Sequence, residues 1–299
     1  MVTRTSLQIT GQTRLVGVMG WPVAHSLSPE MHNAAFAALG MDNAYVPLAV
    51  APERLGQAVA GLWALGFVGC NVTVPHKLAV QQYVEAISDE ARAVGAVNTL
   101  VRAPDADPAR MTWMGYNSDV PGFLMSLDEE GFVPQGRRVL VLGAGGAARG
   151  VVYGLARAGA MVTILNRTVA RAEALAHEMS GAVPGAALDA GPLTGECLRR
   201  EAERSTLLVN TTTLGMWPNA DTSPWPEELP FPPHLTVFDL VYNPLRTRLM
   251  AQAAAAGAKT IGGLKMLVYQ GAVSFNWWFG VMPPADIMYQ VCYDKLSRR

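Results

Sequence analysis

The chain has 299 residues, of which half are hydrophobic and 16% are charged. That length predicts two domains, and that composition supplies a sizeable buried core and excludes an intrinsically disordered chain. With 23 Lys and Arg against 24 Asp and Glu the formal net charge is -1, so no molecule-wide field exists to hold a polyanion or an acidic bilayer, and neither nucleic acid nor a membrane is an expected partner.

Apolar runs of strand length alternate with amphipathic runs of helix length, which predicts α/β layers. Strands are expected at Leu15–Gly20, Tyr45–Val50, Gly69–Thr73 and Val97–Val101, with helices after Ser28, Pro52 and Pro75. Each of these helix starts carries a proline near its first position, where the missing N–H costs nothing. Leu15–Ala24, behind Arg4 and Arg14, faintly resembles a secretion signal, but the polar leader is long and no A-x-A site follows, so it reads as strand. Arg102–Pro108 reads as a turn before a short returning strand at Met111–Met114. A second unit begins at Arg138, with a strand at Val139–Leu142, a glycine-rich turn from Gly143 to Gly150, a helix at Val151–Ala158, a stop at Gly159 and a strand at Met161–Leu165. This is one βαβ half of a dinucleotide-binding fold. Strands at Leu207–Val209 and Thr236–Leu240 extend the sheet, and the proline-rich Trp217–Pro233 between them reads as a long loop, a type often used as a lid. Met266–Ala285 carries no charge, but Gln270, Ser274 and Asn276 interrupt it and Pro283-Pro284 ends it, so it reads as a buried helix rather than a membrane span.

Cys70, Cys197 and Cys292 are odd in number, far apart and form no CxxC pair, which gives neither a disulfide framework nor a zinc signature and fits a reducing cytoplasm. None of the five histidines pairs at i,i+4, and no metal is expected.

Gly143-Ala144-Gly145-Gly146-Ala147-Ala148 matches G-x-G-x-x-G/A between a strand and a helix. In that context Gly143 permits the tight turn, Gly145 admits a pyrophosphate to the backbone, and Ala148 allows close helix packing. About 20 residues on, where NAD-binding folds place a carboxylate for the ribose, stands Asn166-Arg167-Thr168. Arg167 and Arg171 can face a 2′-phosphate together, with Thr168 capping the helix or donating its hydroxyl, which favours NADP over NAD; the alternative is a solvated basic helix face.

Ser26 and Ser28 in His25-Ser26-Leu27-Ser28-Pro29 offer hydroxyls and free backbone N–H groups to a small carboxylate, although Ser28 is equally a natural N-cap with Pro29 at N1. In Asn71-Val72-Thr73-Val74-Pro75-His76-Lys77 the apolar and polar residues alternate, so Val72 and Val74 pack inward while Asn71 and Thr73 face a cleft. Lys77 then falls in the first turn of the expected helix, where a cation opposes the dipole; it is either a functional ammonium or an ordinary surface lysine.

Taken together these segments resemble the shikimate dehydrogenase family. The likeness runs from Val18 to Gln270 through HSLSP, NVTVPHK, Gly95-Ala96-Val97-Asn98-Thr99, Gly115-Tyr116-Asn117-Ser118-Asp119, GAGGAARG, Asn166-Arg167-Thr168, Asn210-Thr211-Thr212 with Gly215-Met216, and Gly263-Leu264-Lys265-Met266-Leu267 with Gln270-Gly271. The resemblance implies an α/β fold of two domains facing each other across a cleft. A substrate domain with a mainly parallel sheet would span residues 1–118, completed by C-terminal helices from 263 to 299, and a Rossmann-type NADP domain would span 119–262. It implies NADP-linked interconversion of 3-dehydroshikimate and shikimate, with Lys77 and Asp119 as the catalytic pair. Ser26 and Ser28 would hold the ring carboxylate, Tyr242 would lie near it, and Asn71, Thr73, Asn98 and Gln270 would bind ring hydroxyls. Gly143, Ala144, Gly145, Gly146, Ala147, Asn166, Arg167, Thr168, Arg171, Thr211, Met216, Leu240 and Gly263 fall on the cofactor side, with Met216 and Leu240 either against the nicotinamide or in ordinary core packing.

Chemistry gives the pair its own rationale. Reducing a ketone builds negative charge on oxygen, and an ammonium supplies both counter-charge and proton. Asp119 would orient Lys77 and keep it protonated, or cap the helix starting near Val120. Ser118 replaces the family's usual Thr, which drops a methyl and bears on fine substrate choice. Beside a shikimate enzyme working as monomer or homodimer stand two alternatives: a quinate or aminoshikimate dehydrogenase, and a regulator that binds without turnover.

Overall fold

The computed structural model describes residues 9–103 and 111–298, and most of the turn expected at Arg102–Pro108 lies outside them. The chain forms two compact units. One runs to Ser118 and takes back Val268–Lys295; the other comprises Asp119–Leu267 with the residues from Leu296. Each holds a six-stranded sheet.

The first unit contains β1 (Arg14–Gly20), α1 (Ser28–Leu39), β2 (Asn43–Ala49), a 3-10 turn at Pro52–Arg54 running into α2 (Leu55–Ala64), β3 (Gly69–Val72), a second 3-10 turn at Ala79–Tyr83, β4 (Ala86–Ile87), α3 (Asp89–Val94), β5 (Thr99–Arg102) and β6 (Trp113–Tyr116). The strand order is β2-β1-β3-β5-β6-β4. β1 pairs in parallel with β2 and β3, and β4 with β6, while β5 runs antiparallel to both its neighbours. Pro47 sits in β2, an edge strand, where its missing N–H breaks no ladder between two neighbours. In α2, Leu55, Val59, Leu62 and Trp63 repeat at helical spacing and bury against Met19, Cys70, Val72, Leu100 and Trp113.

Three expectations change here. The helix expected after Pro75 is a turn followed by the 3-10 segment, because the Lys77 carbonyl accepts from Val97 N (2.9 Å) and is no longer available to continue an α-ladder. Lys77 therefore opposes no helix dipole. The returning strand is Trp113–Tyr116 rather than Met111–Met114, and the strand expected from Val97 begins at Thr99, since Val97 and Asn98 belong to the loop tied to Lys77.

The second unit contains α4 (Asp119–Glu129), β7 (Arg138–Leu142), α5 (Gly146–Arg157), β8 (Met161–Asn166), α6 (Val169–Ala182), β9 (Leu188–Pro192), α7 (Gly195–Arg204), β10 (Leu207–Asn210), β11 (Thr236–Asp239), α8 (Arg248–Ala255) and β12 (Thr260–Gly262). Its sheet is wholly parallel, in the order β12-β11-β10-β7-β8-β9, the doubly wound Rossmann arrangement with its switch point between β7 and β10. Val139, Leu140, Val141 and Leu142 are all completely buried, as a central parallel strand covered on both faces requires. The glycine-rich segment is itself helical from Gly146, earlier than the expected Val151.

The chain ends with α9 (Leu264–Phe279) and α10 (Ala285–Ser297). α9 takes up most of the uncharged stretch, and among the described residues no helix is long and apolar enough to cross a membrane. α9 approaches α1 closely at Gly271, where a Cβ would collide with Met31. There the His32 ring stacks on Tyr45, with centroids 4.3 Å apart and planes 3° apart, and lies parallel to Phe275 at 6.1 Å. Both ring nitrogens of His32 are buried without a hydrogen-bond partner, and burial lowers its pKa from 6.5 to about 3.

Between those two values the unfolded chain binds a proton that the folded protein refuses, so stability falls as pH drops, by about 1.4 kcal/mol per unit. Urea unfolding should show His32→Phe losing about 2 kcal/mol less than wild type between roughly pH 7.5 and roughly pH 5. An equal loss in both proteins would mean that His32 takes up its proton as readily in the folded protein as in the unfolded chain.

Candidate active site

In the first unit the polar residues singled out in the sequence converge on one buried network at the carboxyl end of β3. Asn71 Nδ2 donates to Ser274 Oγ (2.9 Å), Thr99 Oγ1 (3.1 Å) and the Asn98 carbonyl (3.3 Å), while its Oδ1 accepts from Tyr45 OH (2.8 Å). Burial raises the Tyr45 pKa well above its ordinary value, the nearby Cys70 adding to the rise and the Ser28 hydroxyl opposing it, so the phenol keeps its proton for Asn71. Asn98 Oδ1 accepts from Ser118 N (2.7 Å) and Thr99 Oγ1 (2.9 Å), and its Nδ2 donates to Ser118 Oγ (3.0 Å). Ser274 Oγ lies 2.9 Å from Thr99 Oγ1, 3.1 Å from Ser118 Oγ and 3.0 Å from the Gln270 carbonyl, one helical turn back along α9. Gln270 Oε1 lies 3.4 Å from Ser118 Oγ. The structure thus brings Asn71, Asn98 and Gln270 together. With both Nδ2 hydrogens committed, Asn71 retains only acceptor capacity on Oδ1 for an incoming hydroxyl.

Ser118 is completely buried and its hydroxyl is used within this network, so its missing methyl does not open space on an exposed pocket wall. Ser28 is the first residue of α1 rather than its cap. Leu27 occupies the cap position without a side-chain bond, and the Ser26 hydroxyl accepts from Ser28 N at 3.2 Å. Thr73 packs on Gly20, where a Cβ would overlap its methyl, and its backbone N–H donates to the Met19 carbonyl at 2.9 Å. His76 pins the loop that carries Lys77: its Nε2 lies 2.7 Å from the Val50 carbonyl. Lys77 is half-buried.

The second unit builds the dinucleotide turn. Gly143 has φ +107, and a Cβ on it would lie 2.6 Å from Thr211 Oγ1, which itself donates to the Leu142 carbonyl at 2.7 Å. Around Gly145 and Gly146 a Cβ would meet open space, and Gly145, Gly146 and Ala147 are exposed at the start of α5. Unpaired N–H groups there face outward with room for a pyrophosphate, so these residues fit a dinucleotide. Ala148 is buried and Ala144 half-buried. Arg167 and Arg171 are exposed beyond the end of β8, and among the described residues neither pairs with a carboxylate. Thr168 is the N-cap residue of α6 but makes no side-chain cap bond; Asn166 Nδ2 donates to its carbonyl at 2.9 Å.

Asp239 is completely buried at the end of β11. It accepts from Thr247 Oγ1 (2.7 Å), Asn210 Nδ2 (2.9 Å) and Val241 N (3.1 Å), while burial raises its pKa against these bonds. Asn210 Oδ1 in turn accepts from Thr212 Oγ1 (2.7 Å) and Thr212 N (3.0 Å), which shapes the turn leading to Met216. Met216 is exposed, so it is not a core side chain; Leu240 and Tyr242 are half-buried, and Gly263 packs against the Leu240 carbonyl, where a Cβ could not fit. Asp119 opens α4 and is half-buried. Among the described residues no group of three His, Cys, Asp or Glu could hold a metal.

Tyr45, Ser274, His76 and Asp239 carry these arrangements without having been singled out. The i,i+4 spacing of Gln270 and Ser274 on α9 was a usable signal; the partners of the others are set by sheet register.

The fold and the two sites are those of a two-domain α/β dehydrogenase. The chain matches family models described as shikimate dehydrogenase substrate binding domain (residues 18–100), shikimate / quinate 5-dehydrogenase (129–190) and shikimate 5'-dehydrogenase C-terminal domain (263–293). It is 47% identical to the shikimate dehydrogenase (NADP(+)) of Moorella thermoacetica, over 97% of this chain and 96% of that one. It superposes with a TM-score of 0.89 and 40% identity on a shikimate dehydrogenase crystallised with NADP+, covering 97% of this chain and 98% of that one. The Thermus thermophilus enzyme crystallised with NADP(H) and shikimate gives a TM-score of 0.83 at 39% identity, with 94% and 99% covered. The chain belongs to the shikimate dehydrogenase family.

Gly143→Ala places a methyl against Thr211 at a backbone angle that L side chains rarely adopt. It should cost about 2 kcal/mol of stability and weaken dinucleotide binding at least tenfold. Chemical denaturation and a fluorescence titration with reduced nicotinamide dinucleotide check both; unchanged affinity would show that this turn does not cradle the phosphates.

Proposed function

We propose that the protein is an NADP-dependent oxidoreductase that reversibly reduces 3-dehydroshikimate to shikimate, a step toward chorismate and the aromatic amino acids, in a reducing cytoplasm that suits its free cysteines. The observation that carries this reading is the buried amide and hydroxyl network around Asn71, Asn98 and Gln270, whose polar groups suit a ring bearing several hydroxyls. Ser26 and Ser28 hold the ring carboxylate with Tyr242 near it, and Thr73 adds a hydroxyl. The nicotinamide supplies the hydride when bound, with Met216 and Leu240 against its ring.

Negative charge then grows on the substrate carbonyl oxygen, and the Lys77 ammonium donates its proton there; in the oxidative direction the neutral amine accepts it. Asp119 orients Lys77 and a neighbouring ring hydroxyl. Its place directly after Ser118 in the chain ties the carboxylate to the substrate network by a single peptide. Arg167 and Arg171 clamp the 2′-phosphate, with Asn166 and Thr168 shaping the turn beneath it.

Purified protein mixed with shikimate and NADP should develop the absorbance of reduced nicotinamide, and much less with quinate or NAD. Lys77→Ala should lower kcat by about two to four orders of magnitude with a modest change in KM. No turnover despite demonstrated binding of both ligands would make the protein a regulator, and a near-normal kcat would remove Lys77 from the chemistry.

Replacing Arg167 and Arg171 together by alanine should weaken NADP at least tenfold while NAD changes little. Equal losses for the two dinucleotides would sink the phosphate clamp.

A further inference from the structure

The loop after β3 is open to solvent except at one side chain. Val74 is 68% and Leu78 65% exposed, whereas His76 is 1% exposed and is the one buried residue among 74–79. Between the buried Val72 and Val80, then, no apolar side chain anchors the chain, and the position of Lys77, directly after His76, depends on polar ties.

Those ties are few and directed. The His76 Nε2 lies 2.7 Å from the Val50 carbonyl, just past the end of β2. A carbonyl oxygen only accepts, so Nε2 carries the proton. Because β1 lies between β2 and β3, the loop and its imidazole together span two strand spacings, roughly 10 Å, over the carboxyl end of β1. That end is closed by backbone bonds on both sides, Val50 N to the Gly20 carbonyl at 3.1 Å and Trp21 N to the Val74 carbonyl at 3.0 Å. The His76 backbone is held as well, its N–H donating to the Thr73 carbonyl and its carbonyl accepting from Val80 N, each at 2.9 Å. On the other flank the Lys77 carbonyl accepts from the N–H of Val97, the residue before Asn98. Lys77 is thus slung between β2, through the His76 ring, and the segment that carries Asn98. Only the first of these two braces is made by a side chain.

We propose that His76 is a positioning residue for the proton transfer: its imidazole bridge to β2 holds the Lys77 backbone where the ammonium meets the substrate oxygen. This rests on the reading of Lys77 as the proton donor. A misplacement on the order of 1 Å can cost about a hundredfold in rate. Asn71, Asn98 and Gln270 lie outside the loop, so substrate binding through them survives loss of the bridge.

Steady-state kinetics of the full chain with shikimate and NADP should show His76→Phe lowering kcat at least about tenfold, with both KM values changed by less than about threefold. His76→Gln, whose side-chain amide can reach the same carbonyl, should recover most of that loss. The solvent isotope effect on kcat should rise in His76→Phe, because transfer to a displaced amine becomes slow. In a Lys77→Ala background His76→Phe should remove little further kcat, since both changes act through one ammonium. Thermal melting establishes that each variant is folded, and His76→Leu replaces His76→Phe if the phenyl ring is not accommodated. A smaller kcat loss in His76→Phe while Lys77→Ala is crippled, losses in the two variants that multiply, a change confined to KM, or no recovery by glutamine would each overturn the brace and leave Lys77 in place. A near-normal kcat in Lys77→Ala would instead overturn the reading of Lys77, and this proposal with it.

Discussion

Ser274 reaches from α9 to Asn71 on β3, Thr99 on β5 and Ser118 beyond β6 with a single completely buried hydroxyl. Leaving any of those partners unsatisfied inside the protein would cost about 1–3 kcal/mol. A fully connected polar network is therefore rigid, because each member is held by the penalty on its neighbours. The returning helix is what makes it possible: without residues from Val268 onward the first unit would lose Gln270 and Ser274 together, and the amide of Asn71 would have no fixed direction. The same helix sets the His32 stack through Phe275 and the Trp278 seat against Gly69 and the Leu100 carbonyl.

The second unit solves a different problem, the recognition of phosphate by backbone. Gly143 turns the chain so closely under Thr211 that no side chain is tolerated, and α5 then begins with exposed N–H groups. The neighbouring turn is held by Asp239, a buried carboxylate with three donors, which fixes Asn210 and through it Thr212. Buried ion pairing is absent from that arrangement; neutral donors satisfy the charge, and desolvation still raises the pKa.

The Rossmann half was legible because its signals are local: a four-residue apolar strand, a glycine turn and a helix follow within about 20 residues, and the pair Arg167 and Arg171 sits where a carboxylate would otherwise stand. The first unit was legible in its strands but not in its loop chemistry. Proline spacing after Pro75 imitates a helix start, while the deciding bond, from Val97 N to the Lys77 carbonyl, joins residues 20 apart in the chain. Ser28 and Thr168 likewise look like caps by composition, yet neither side chain makes the cap bond. Asn71, Asn98 and Gln270 were identified through the family resemblance, whereas Ser274 and Tyr45, which orient Asn71, were not, because their partners lie 203 and 26 residues away and only register brings them together.

The dependence of substrate recognition on the buried hydroxyl is tested most directly by a double-mutant cycle of Ser274→Ala and Asn71→Ala, read as kcat/KM for shikimate. If Ser274 acts by orienting Asn71, removing it matters far less once Asn71 is gone, and the coupling energy is about 1 kcal/mol or more. Effects that simply multiply, with coupling near zero, would show that the hydroxyl supports the fold alone and that Asn71 finds its direction elsewhere.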